Sequence, residues 1–231
     1  MTSETRRESE DATRTVRGPR LVGRGLLLVG APLLLAIVLW FHPSAGHEPF
    51  ATLSPVVDTW FLVHALLLPL FGVLGIGLYV LLSDYHGTVA TIGRIGVAVY
   101  LVCYLAFEAI AGIATAVLIR ESSGLAADQR EGVETVVDIV LSDPVDGVAG
   151  VLAFVGTVGN LVAVLAIAVL LRRSGAPLVP VVLLAGLPIG LVAHGSTPGA
   201  TISISAFCLG VAWIEFEWRL SESQQFSKRL A

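Results

Sequence analysis

The hydrophobic positions of the chain fall into six runs, at residues 25–41, 57–82, 95–119, 147–171, 176–193 and 199–214, separated by polar or charged breaks. A helix rises ~1.5 Å per residue, so about 20 apolar residues cross a hydrocarbon layer roughly 30 Å thick. The second, third and fourth runs meet that length outright, and the first and last two reach it by extending into weakly polar flanks. The pattern predicts transmembrane helices over 21–42, 57–83, 88–120, 146–172, 176–195 and 199–219. The connection 121–145 carries a different signal. In "EGVETVVDIVLS", Val133, Val136, Val137, Val140 and Leu141 recur at i, i+3, i+4, i+7 and i+8, with Glu131, Glu134 and Asp138 off that face, and Pro144 follows. This is a short amphipathic helix lying on the outside of the membrane. The fold class is an all-α integral membrane protein, a bundle of six transmembrane helices with one short amphipathic outer helix.

Composition agrees with the runs. The chain is 55% hydrophobic and 14% charged, with a mean hydropathy of +0.84, more apolar surface than a soluble core of 231 residues buries. A lipid bilayer is the partner this implies, and nothing points to nucleic acid. Charge sets the orientation. Of the 14 Lys and Arg residues, all but Arg120 and Arg130 fall on the side that holds both termini. The positive-inside rule then puts both termini in the cytoplasm and the acidic 121–145 loop outside, in a multi-pass protein of the cell membrane. Trp40 and Trp60 fall at outer span ends, Trp213 and Trp218 at the inner end of the last, as interfacial aromatic belts do.

Residues 1–20 mix both signs of charge without apolar periodicity and read as a disordered cytoplasmic tail; 21–220 form the membrane domain and 221–231 a second short tail. A second reading makes the first run the core of a signal peptide, with "SAG" at 44–46 as the cleavage site. Five spans would then remain in the same orientation.

The residues that carry chemistry are the polar ones inside the runs, because ionisable groups in hydrocarbon face the bundle interior and find partners there. Counting ~1.5 Å per residue from the outer boundaries sets His64 roughly 8 to 10 Å deep in the second span and Glu108 roughly 10 to 13 Å deep in the third. They share a level. His194 falls near the outer end of the fifth span and His42, in "HPSAGH", at the outer end of the first. His42, His64, Glu108 and His194 are thus the candidate ligands of an outward-facing pocket. Imidazole and carboxylate suit zinc, copper or iron, and His64 with His194 is the pair that could hold a haem axially. Asn160, in the fourth span, and Asp58 are candidate helix cross-links or pathway residues. His86 reads as a solvated loop residue, and Cys103 and Cys208 as packing residues.

Two function classes follow. One is the binding or passage of a small ligand, proton or metal ion through the His/Glu pocket; the other is a structural or accessory subunit, in a homo-oligomer or membrane complex, whose polar residues only join helices. No GxSxG, HExxH or nucleotide-binding loop occurs, so no enzyme class is indicated.

Overall fold

The computed structural model describes residues 22–142 and 147–219, and among them there is no strand. Seven helices succeed one another. Five are long and apolar enough to cross a membrane: α1 (Val22–Trp40), α2 (Pro49–Ser83), α3 (Thr88–Ser122), α5 (Val148–Arg173) and α7 (Gly199–Trp218). The other two are α4 (Ala127–Ser142) and the shorter apolar α6 (Leu178–Val192). By helix length and composition the chain is a multi-pass membrane protein.

The shortness of α6 has a local cause. It runs as Leu178–Leu183, turns over residues 184–185 and resumes at Gly186–Val192. Pro188 has no N–H to offer the Leu184 carbonyl, so the ladder fails there. The fifth run is therefore a broken helix, shorter than the expected 176–195. Pro69 leaves α2 unbroken through Val57–Ser83. That helix has an unexpected forward extension: Pro49–Leu53 and a single 3₁₀ turn, Ser54–Val56, each opened by a proline within its first two positions, lead into it.

The amphipathic helix is present as α4, but its buried stripe is narrower than the sequence implied. Val137 is fully buried and Val133 and Leu141 partly so, packed against Phe50, Leu53, Trp60 and Ile119. Val136, expected on the same face, is 49% exposed. The helix touches the bundle along an i, i+4, i+8 line, and a residue one position off that line is rotated by about 100° toward the outside. Asp138 is not idle on the polar face, because its Oδ1 accepts the Phe50 N–H at 3.0 Å and caps the extension of α2. Pro144, the expected terminator, lies outside the described residues.

The other six helices close a ring in which α1 packs on α2 and α7, α2 on α3, α3 on α5, α5 on α6, and α6 on α7. The α3–α5 seam is the most extensive. Glycine allows it: a Cβ at Gly159 would lie 2.7 Å from the Tyr100 nitrogen, and one at Gly96 2.6 Å from the Gly159 carbonyl oxygen. Backbones that close gain dispersion contacts, the main attraction between helices in lipid. Two threonines of the α7 end tie it to α1, Thr201 donating to the Ala36 carbonyl at 3.1 Å and Thr197 to that of Leu39 at 3.2 Å.

At the opposite end from α4, Arg24 of α1 grips the buried Glu215 of α7 with Nε at 2.7 Å and a second nitrogen at 3.2 Å. Arg219 bridges Glu215 at 3.3 Å and Asp84, after α2, at 2.9 Å. The sequence reading ended its last apolar run at Ile214, one residue short of this anchor.

The seam makes a direct prediction. Gly159→Leu forces backbone apart and should destabilise by about 1–3 kcal/mol or more, whereas Gly72→Ala, with nothing within 4 Å of the new Cβ, should be close to neutral. Thermal unfolding of the two variants in the same detergent, followed by scanning fluorimetry, checks the contrast.

Candidate metal centre

His64 reaches its position through the helix turn that precedes it. Its Nδ1 lies 2.8 Å from the carbonyl oxygen of Trp60, one turn earlier on α2. A carbonyl only accepts, so Nδ1 carries the proton and the neutral ring presents a bare Nε2. The ring fits because the facing residue on α3 is Gly112; a Cβ there would overlap the imidazole and the His64 Cβ. Over Glu108–Ala114 α3 widens into a π-helical segment, in which N–H groups reach back one residue further; the Thr115 N–H that follows is shared between the Ile110 and Gly112 oxygens. Trp60 donates into this segment. Its indole N–H is shared between the Ala111 and Gly112 oxygens, at 3.2 and 3.1 Å. Trp60 is therefore buried, 4% exposed, and not the interfacial belt residue expected of it; Trp40 is 53% exposed.

His42 sits just past the end of α1 and repeats the arrangement of His64. Its Nδ1 is 2.6 Å from the Pro43 carbonyl oxygen, which again fixes the proton on Nδ1 and leaves Nε2 bare. The two bare nitrogens face each other at 3.3 Å. Two lone pairs at that distance repel unless a proton or a cation stands between them.

His194 enters from the end of α6, where the left-handed Gly195 (φ 79°) turns the chain, a conformation that costs glycine little. Its Nδ1 is 3.3 Å from the Tyr104 hydroxyl, and its Nε2 has no hydrogen-bond partner. Glu108 completes the group. Its Oε1 is 3.6 Å from His194 Nε2 and its Oε2 3.9 Å from His64 Nε2, and neither oxygen has a hydrogen-bond partner among the described residues. The side chain is fully buried. So the common depth of His64 and Glu108 counted from the sequence corresponds to spatial proximity, and His42 and His194 join them.

One ring nitrogen from each of His42, His64 and His194 can be chosen so that all lie within 4.8 Å of one another. Zinc–nitrogen bonds of ~2.0–2.1 Å put two ligand nitrogens of a tetrahedral site about 3.4 Å apart, so the widest pair must close by about 1.4 Å. A cavity of about 430 Å³ on the same residues gives the rings room to turn. The donor set suits a borderline divalent ion, and the Pro43 and Trp60 carbonyls supply the outer-shell contacts that orient ligating imidazoles.

No protein-family model, curated protein or solved structure matches this chain. Its chemistry rests on its own geometry.

The remaining sequence candidates lie elsewhere. Asp58 is exposed and pairs with Arg120 of α3 at 2.6 Å, a surface ion pair between two helices worth at most about 1 kcal/mol. Asn160 is fully buried on the α5 side of the seam, yet neither atom of its amide has a partner among the described residues, so the expected interhelical hydrogen bond is not formed. His47 and His86 are exposed, and Cys208 is buried. The sequence did not single out Tyr104, Trp60 or Gly112 as parts of the site. Gly112 lies four residues after Glu108, one helical turn along α3, and that spacing is the signal by which it could have been found.

Gly112→Ala should displace the His64 ring and, like loss of an outer-shell support, weaken zinc binding by about 10–100-fold. Competition against a chromogenic chelator measures it.

Proposed function

We propose that the protein holds one divalent transition-metal ion, best matched by zinc, between His42, His64, His194 and Glu108. The ion sits in a cavity open to the non-cytoplasmic side of a six-span bundle, with α6 as the shortest span. The observation that carries this reading is the face-to-face pair of bare imidazole nitrogens, each fixed by a backbone carbonyl. A shared proton would relieve that one contact. A single cation relieves it and also engages the unpartnered His194 Nε2 and the two unpartnered oxygens of Glu108, so it accounts for all four groups.

Two other readings are less well supported. Helix glue calls for direct hydrogen bonds, and Glu108 makes none to either histidine, at 3.6 and 3.9 Å. Axial haem ligation would set a broad macrocycle between His64 and His194, and the His42 ring, its centroid 4.8 and 4.6 Å from theirs, stands beside that gap where the macrocycle would extend. Residence of the ion is favoured over passage through the bundle, because the fully buried Leu67, Phe71, Tyr100 and Tyr104 fill the core beside and beneath the cluster. The orientation rests on the distribution of Lys and Arg.

Protein purified without chelators should carry close to one equivalent of metal by plasma mass spectrometry. His64→Ala and His194→Ala should each lose most of it while the bundle stays folded, and Glu108→Gln should retain it with lower affinity. A wild-type protein that neither carries nor takes up zinc would refute the proposal. In intact cells, an impermeant maleimide should label Glu131→Cys in α4 but reach Lys228→Cys only after lysis; the reverse pattern inverts the orientation.

A further inference from the structure

The cavity beside the cluster has two unlike ends. Its lining takes in His42, Ser44, Ser196 and the ring of Tyr104 and, at an end formed by α5 and α6, Ala149, Ala153, Leu191 and Val192. The second end is wholly apolar. This part of the lining borders the flank of the bundle: Val192 is 78% exposed, and Phe154 and Val148, neighbours in sequence of Ala153 and Ala149, are 66% and 62% exposed. Large apolar side chains turned outward on a helix of membrane-spanning length face hydrocarbon. Ala153 lies five residues inside α5, so this part of the lining reaches roughly 8 Å below that helix end, at acyl-chain depth. The gap exists because the α5 residues there are small and because the broken α6 meets α5 far less closely than α3 does.

We infer that this cavity receives an amphiphile from the surrounding leaflet, with an anionic oxygen head at the His/Glu ion and an acyl chain lying out between α5 and α6. The inference rests on the metal reading. A divalent ion held by three neutral imidazoles and one carboxylate keeps a net positive charge, and zinc can expand from four to five ligands to take an oxygen anion. Beyond the head, the apolar end offers a polar ligand no partner for a second polar group, whereas an acyl chain passes into it from the leaflet without leaving an apolar environment. The same head chemistry is found on a fatty acid and on a monoacyl phosphate, and the two are separable by assay.

Zinc-loaded protein in nanodiscs is titrated with radiolabelled palmitate and with palmitoyl lysophosphatidate, using acetate and inorganic phosphate as heads without tails. One acyl ligand should saturate, and its tail-less counterpart should bind at least about tenfold more weakly, consistent with several buried methylenes. Saturation by palmitate assigns a fatty-acid source, and saturation by the lysophosphatidate a phospholipid source. Ala153→Phe, which fills the apolar end, and Val192→Trp, which enlarges an exposed residue of its lining without entering the core, should keep the zinc stoichiometry and weaken the acyl ligand about tenfold. The inference is overturned if zinc is bound but neither acyl ligand saturates, if the tail-less heads bind as well, or if both variants bind the acyl ligand as wild type does. A wild-type chain without zinc affinity fails earlier, at the metal reading itself.

Discussion

A polar atom buried at membrane depth has no water to turn to, and must find its partner within the protein. Most of this structure can be read as answers to that constraint. Thr197 and Thr201 donate their hydroxyls to α1 carbonyls, Trp60 donates its indole N–H to two carbonyls of the π segment of α3, and Arg24 doubles its grip on Glu215. The exceptions are informative because they are not scattered evenly. Asn160 and one nitrogen of Arg94 are isolated cases, whereas Glu108 and His194 leave three unpartnered atoms at one point, beside two histidines whose bare nitrogens confront each other. Unmet demand concentrated in this way supports the proposed metal site over a set of helix contacts.

Much of this was legible in the sequence, for a simple reason. Depth along a helix is linear in residue number, so His64 and Glu108 could be set at one level from run boundaries alone. Direction around the helix is harder. The indole of Trp60 lay near a predicted boundary, where tryptophans are common, and nothing in its neighbours revealed that a π segment on another helix would offer it two carbonyls. Val136 was placed on the buried face by an ideal periodicity that holds only where the partner surface is broad, and α4 meets a narrow one. Glu215 fell just past a run boundary drawn at the last uninterrupted apolar residue, although an acid next to the membrane edge is tolerable once Arg24 reaches it. The break in α6 was signalled by its prolines, but its consequence, a side of the bundle less tightly closed than the α3–α5 seam, belongs to packing and not to pattern.

The two ends of the bundle are built on opposite principles. Where α1, α2 and α7 meet near Asp84, charges are matched and close together, so that end resists separation of its helices. At the end that carries α4, the polar groups lie around a cavity, and a separate apolar cluster of Phe50, Leu53 and Val137 forms the roof. Such a molecule is fastened at one end and hollow at the other.

The π segment of α3 carries a consequence for the chain's history as well as its shape. A π turn accommodates one more residue than the α-helix around it, so everything after Ala114 is rotated by about 100° relative to a regular continuation from Phe107. Above the segment, Ala116 and Ile119 face inward; in an unbroken helix different residues would hold those places. Glu108 begins that extra turn. The helix is therefore phased for the seam with α5 in its lower part and for the roof in its upper part, and a single-residue insertion is the smallest change to an ordinary helix that would have produced both phases at once.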